Sequence, residues 1–167
     1  VMLFLKLILR LLFQGEKSRL ILQNPEDRSV IISSRLIKKD FIHLIRSAGV
    51  DTRYFSYRTM LKKSPTVILP ARMLWAKGIR DFKRCAKEIN KDVGKVEFIL
   101  VGAPDNQNPD AIPLTLLEKW NNEKLISYWG YQKNMKSVFH KASIICLPTS
   151  YGEGVPKSLI EAASCGR

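Results

Sequence analysis

Acidic residues are scarce in this chain: 15 Asp and Glu stand against 28 Lys and Arg, for a net charge of +13. That imbalance directs attention to anionic ligands and anionic surfaces. Cysteine is nearly absent too. Cys85, Cys146 and Cys165 are an odd number without metal-ligand spacing, which excludes a disulfide scaffold and a structural zinc site. Cys85 on an apolar helical face and Cys146 in an apolar strand run read as small core residues in a reducing compartment. The two histidines, His43 and His140, are isolated and read as structural. A long apolar run is also missing. Val1 to Phe13 is thirteen residues with two cations, too short to cross a bilayer and without the charge-first order of a signal peptide. It reads as a buried or an interfacial helix, and its near lack of a polar face favours the buried one. There is no Asp-x-Asp pair, and Gln107 and Pro109 occupy the calcium-ligand positions after Asp105. No divalent metal and no cofactor are therefore expected. Zinc spacing, an RNP-like aromatic pattern and basic heptads are all lacking, so nucleic acid is not an expected partner.

What is present is an ordinary globular composition, 46% hydrophobic and 26% charged over 167 residues, enough for one real core. The basic excess is densest early: residues 1–63 carry thirteen Lys and Arg against five Asp and Glu. An anionic membrane surface suits that distribution, and a solvated basic face is the plainer alternative. Residues 1–13 read as helix, Arg19–Gln23 as a short strand closed by Asn24-Pro25, and Pro25 onward as a helix capped by Asn24. Phe41–Ile45 is ambiguous between strand and helix. The apolar period then lapses, which places a linker over 51–64 between a unit of 1–50 and a unit of 65–167. In the second unit, strands at Thr66–Leu69, Val96–Val101, Leu125–Trp129 and Ser143–Leu147 alternate with helices at Gly78–Asn90, Leu114–Trp120, Asn134–Lys141 and Val155–Cys165. This is the pattern of an α/β, doubly wound parallel sheet, whose ligands bind outside the carboxyl ends of the strands.

The most informative stretch runs from Pro148 to Glu161. Gly152 and Gly154 allow close backbone approach, and Pro156 in a first helical turn has no amide to leave unpaired. The free amides and the helix dipole favour a phosphate there. Glu153 on the turn and Glu161 about two helical turns on would accept from sugar and ribose hydroxyls, although acidic residues near a helix start also stabilise without a ligand. A P-loop is excluded, because Pro156 stands where Gly must precede Lys157. Arg72, just past one strand, and Lys77, opening a helix, fall on the same sheet edge. Together they would clamp a diphosphate.

Leu69-Pro70-Ala71-Arg72-Met73-Leu74-Trp75-Ala76-Lys77-Gly78, Phe98-Ile99-Leu100-Val101-Gly102 and Leu147 through Ala162 resemble the donor-binding half of retaining GT-B glycosyltransferases of family four. The Arg-x4-Lys-Gly and Glu-x7-Glu elements, in order and at the family's distance, carry that resemblance, and bacterial capsule and lipopolysaccharide enzymes are the nearest type. Gln23–Asp27 and Gly49–Asp51 resemble the end of the acceptor domain and the approach to the linker. The resemblance implies a GT-B fold. It also implies transfer of a sugar from a nucleotide diphosphate sugar, UDP-linked, to a lipid-linked or polysaccharide acceptor. Arg72 and Lys77 would hold the diphosphate, Glu153 would contact the sugar, and Glu161 the ribose. Gly154 and Val155 would offer amides, and Gly130 and Tyr131 would lie near the base. A cytoplasmic enzyme, peripheral at the cytoplasmic face of the inner membrane, is the expected setting.

The family's pattern also implies a whole first Rossmann domain, of which this chain is expected to hold only the tail, and a further strand, its loop and closing helices where this sequence stops at Gly166-Arg167. A catalytically inactive remnant that binds nucleotide sugar, or pairs with a separate acceptor-domain chain, stays open as an alternative. So does a GT-B epimerase acting on the same donors.

Overall fold

A computed structural model describes residues 2–13, 18–46, 49–60, 65–92, 96–150 and 154–167, with backbone alone for residues 2–5. The chain forms two compact units, one of residues 1–49 and 152–156, the other of residues 50–151 and 157–167.

The first unit opens with helix α1 (Met2–Leu12). Its predicted burial is not observed: Leu7, Leu11 and Leu12 are each more than half exposed. The physical reason lies in what the described part of this unit offers, a two-stranded sheet and one further helix, which is too little surface to cover so apolar a helix. Strand β1 (Leu20–Leu22) and strand β2 (Ile42–Leu44) pair in parallel, Leu20 opposite Ile42 and Leu22 opposite Leu44. That pairing settles the ambiguous Phe41–Ile45 stretch as strand over Ile42–Leu44, while Phe41 closes a 3-10 turn, Lys39–Phe41. Between them runs helix α2 (Pro25–Ser34). The Asn24 side chain accepts from the Asp27 amide at 2.7 Å, and Pro25 fills the first turn, where its missing N–H costs nothing.

The second unit is a four-stranded sheet, with all neighbours parallel, of strands β3 (Thr66–Pro70), β4 (Glu97–Val101), β5 (Ser127–Tyr128) and β6 (Ile144–Ile145) in the order β5-β4-β3-β6. Helices α3 (Ile79–Asp92), α4 (Leu114–Asn122), α5 (Met135–Lys141) and α6 (Lys157–Ser164) connect or follow the strands. The two-residue side-chain period of the strands decides which face each residue serves. Leu69, Phe98 and Leu100 pack with Ile79, Phe82 and Ala86 of α3 and Leu117 and Trp120 of α4. Ile68, Ile99 and Val101 point the other way, to Val138 of α5 and to Ala142, which caps it. Phe139, Ala162 and Cys165 join α5 to α6. A parallel sheet buried on both faces by helices is the doubly wound α/β arrangement.

Three local expectations need correction. Cys85 is exposed, because it sits one position off the buried Phe82–Ala86 face of α3. The edge strands β5 and β6 are only two residues long, since each pairs on one side alone. Helix α6 begins at Lys157, two residues after the predicted start.

Candidate functional site

The carboxyl ends of β3 and β4 shape the candidate site. After β3 the chain turns through Ala71 and Arg72 into a short 3-10 turn, Trp75–Lys77. Backbone pairing fixes this turn against the loop that follows β4: Met73 N–H donates to Ala103 O at 3.0 Å, Ile112 N–H to Met73 O at 2.8 Å and Trp75 N–H to Asp110 O at 3.0 Å. The Asp110 carboxylate accepts from the Ala76 amide at 2.8 Å. On its other side the turn is clasped by the segment after β6. Ser150 N–H donates to Ala76 O at 3.0 Å, and the Thr149 hydroxyl reaches the same carbonyl at 3.3 Å. Gly78 closes the turn with φ 75°, and a Cβ there would run into the Pro148 carbonyl. Only glycine meets both demands.

Gly102 plays the equivalent part after β4. Its φ is 144°, a Cβ would strike Ala71 O, and its N–H donates to Gly130 O at 2.8 Å. The Tyr128 hydroxyl donates to Gly102 O at 2.9 Å. The two strand ends and the Gly130 turn are thereby held as one rim.

Within that rim lies a cleft of about 460 Å³ whose lining includes Arg72, Asp105, Tyr131, Lys133, Ser158 and Glu161. Arg72 donates to the Asp105 carboxylate at 2.7 Å. Tyr131 is 74% exposed and offers its ring at the mouth. Glu161 is 9% exposed and has Lys157, one helical turn earlier, at 3.7 Å. A buried carboxylate beside cations is positioned to accept hydroxyl hydrogen bonds where water competes poorly. Lys77 does not line the cleft, but it is electrostatically coupled to it. Burial first, and then the charge of Arg72, hold its ammonium below the ordinary value of 10.5.

The structure therefore brings Arg72, Tyr131 and Glu161 into one cleft, with Lys77 within the field of Arg72 and Gly130 in the rim. Glu153 lies outside the described residues. Gly154 and Val155 belong to the first unit, where Val155 N–H donates to Arg46 O at 3.1 Å. Sequence reasoning missed Asp105 as the partner of Arg72, Asp110 as the anchor of the 75–77 turn, and Ser158 in the lining. Their loop follows a strand of the same sheet edge, which signals the neighbourhood of both aspartates but not their partners.

The model of the family Glycosyl transferases group 1 matches residues 64–167. The N,N'-diacetylbacillosaminyl-diphospho-undecaprenol alpha-1,3-N-acetylgalactosaminyltransferase of Campylobacter jejuni is 31% identical over 144 residues, covering 78% of this chain and 36% of that relative. Among solved structures, Anabaena Alr3699/HepE in complex with UDP and glucose superposes with a TM-score of 0.71 at 14% identity, over 97% of this chain and 47% of that one. TarM of S. aureus gives 0.70 at 18% identity, over 89% of this chain and 28% of that one. These are glycosyltransferases of the GT-B fold, and at such identities they speak for the fold alone. The chain spans little more than a third of the curated relative and under half of the solved ones. With the family model covering every strand and helix of the α/β unit that carries the cleft, the chain belongs to the glycosyl transferases group 1 family.

Proposed function

We propose that this chain carries the donor-binding part of a retaining, family-four glycosyltransferase that moves a sugar from a UDP-sugar to a lipid-linked or polysaccharide acceptor in bacterial surface polysaccharide synthesis. The observation that carries the reading is the meeting of Arg72, Tyr131 and the buried Glu161 in one cleft at the carboxyl ends of β3 and β4. In the reaction the anomeric C–O bond to the diphosphate breaks and an acceptor hydroxyl forms the new bond. The departing diphosphate takes the electron pair and, with it, the proton that the acceptor hydroxyl gives up. Arg72 and Lys77 stabilise that developing charge in place of a metal ion, Glu161 accepts from the ribose hydroxyls, and Tyr131 and Gly130 flank the base. Glu153 and Gly154 keep the sugar and phosphate roles that the resemblance implies, whereas the Val155 amide is engaged by the Arg46 carbonyl and is not free for them. The relatives support the reading: one is named for a diphospho-undecaprenol acceptor and another was solved with UDP and glucose.

Titration calorimetry of the chain with UDP- and GDP-sugars, for wild type and Glu161→Ala and with EDTA present throughout, tests this. Saturable binding of a UDP-sugar is expected, weakened roughly tenfold by the substitution, the scale of one charge-assisted hydrogen bond. A folded chain that binds no nucleotide sugar under these conditions would overturn the proposal.

A further inference from the structure

A second cavity of the α/β unit, about 430 Å³, shares no lining residue with the cleft. Arg58, Lys136 and Lys141 bring three full positive charges to it, with Asn134, Ser137 and His140 beside them, and no carboxylate lines it. Among the described residues no carboxylate forms an ion pair with any of the three cations.

The walls are built rather than incidental. The segment carrying Arg58 is fastened to α5 and α6 at three points. The Ser164 hydroxyl donates to Phe55 O at 2.6 Å, His140 Nε2 lies 3.0 Å from Ser56 O, and the Arg167 guanidinium donates to Arg58 O at 3.0 Å. The Phe55 and Phe139 rings pack at 6.0 Å beneath. The cationic heads are placed as well. Lys136 Nζ stands 5.4 Å from the Tyr54 ring centroid and Lys141 Nζ 5.3 Å from that of Trp129. Such ring contacts steady an ammonium without neutralising it. The Asn134 carbonyl oxygen is engaged by the Ser137 amide at 3.1 Å, which leaves its NH₂ group as the end of the side chain that can donate.

We propose that this cavity is a second anion-binding site, for a compact, multiply charged phosphoanion. Three like charges around one open pocket repel one another, and an oxyanion between them reverses the sign of that interaction. The guanidinium fork, two ammonium groups and neighbouring hydroxyl donors match phosphate oxygens more closely than a single carboxylate. The volume admits a diphosphate or a phosphorylated monosaccharide. Because the site joins residues 58 and 59 to α5, an occupant cross-links the first turns of this unit to its helical layer.

The test uses the full chain carrying Arg72→Ala and Lys77→Ala, so that the cleft does not contribute, titrated with inorganic pyrophosphate and with a hexose phosphate at constant ionic strength. Saturable binding and a raised melting temperature are expected for at least one of the two. The tighter of them identifies whether free diphosphate or a phosphorylated sugar is the natural class. Adding Arg58→Gln and Lys141→Gln, both at exposed positions, should weaken binding at least tenfold. Ser137→Asp, which places a carboxylate in the cavity, should do the same. Absence of saturable binding, binding untouched by both sets of substitutions, or an equal response to sodium chloride would each overturn the proposal.

Discussion

At the scale of single residues the cleft is an arrangement of opposed charges. Arg72 faces Asp105 at 2.7 Å, with the side chains 62% and 29% exposed, so the pair contributes less than about 1 kcal/mol. A diphosphate competes for the same guanidinium. Asp105→Asn should therefore raise nucleotide affinity up to about fivefold in calorimetry; a fall would mean that Asp105 positions Arg72 rather than competing for it. Arg72→Ala and Lys77→Ala should each weaken binding by roughly 1.5 to 3 kcal/mol, the scale of charge-assisted hydrogen bonds, with the exposed Arg72 toward the lower end. Lys77 adds a pH dependence whose sign is fixed. Burial and Arg72 lower its pKa, so between its folded value and the unfolded one the unfolded chain holds the extra proton, and the free protein gains stability as pH rises. A bound anion restores the charged form. Nucleotide affinity should consequently fall as pH climbs through the lowered pKa, with proton uptake on binding, and Lys77→Ala should flatten that slope. A slope that survives the substitution would assign it to another group.

At the scale of elements, most of the α/β unit was legible because its signal is redundant. The apolar β3 and β4 runs have the length and composition of buried parallel strands, and the face of α3 repeats through Ile79, Phe82 and Ala86. The edges were not legible to the residue. The apolar residues around β5 and β6 continue past the two-residue ladders, and sequence pattern does not report where pairing stops. The fate of α1 was misread because a pattern gives the face a helix could bury, not whether a partner surface exists. At the site, Arg72 and Glu161 were found from spacing, whereas Asp105 was not, since its pairing with Arg72 spans 33 positions and depends on how two strand-end loops fold together. Gly78 shows how much one element boundary carries. Its positive φ and the Pro148 carbonyl leave no room for a side chain, so Gly78→Ala should cost about 3 kcal/mol of strain and overlap. That corresponds to a melting temperature lower by roughly 6 to 12 °C. A variant that melts like wild type would show that the clasp between the 75–77 turn and the 148–150 segment does not hold the site.

At the scale of the molecule, one group of cations in the first unit stands beside exposed apolar side chains. A cavity of about 500 Å³ there is lined by Arg10, Arg35, Lys38 and Lys39 together with Phe13 and Phe41, while Leu7, Leu11 and Leu12 of α1 are exposed. Among the described residues no helix is long and apolar enough to cross a membrane. Cations beside exposed apolar side chains suit the surface of an anionic bilayer, where each Lys or Arg near the headgroups contributes about 1 kcal/mol. The peripheral membrane setting expected from the sequence has its own measurement. The chain should sediment with vesicles containing anionic phospholipid, less with purely zwitterionic ones, and progressively less as salt shortens the Debye length. Lys38→Glu with Lys39→Glu reverses two charges at the cavity and should reduce anionic-vesicle binding by more than tenfold, given about 1 kcal/mol for each cation lost, while UDP-sugar binding in the other unit stays as it was. Sedimentation that is indifferent to lipid charge, or to the reversal, would leave these cations as a solvated face.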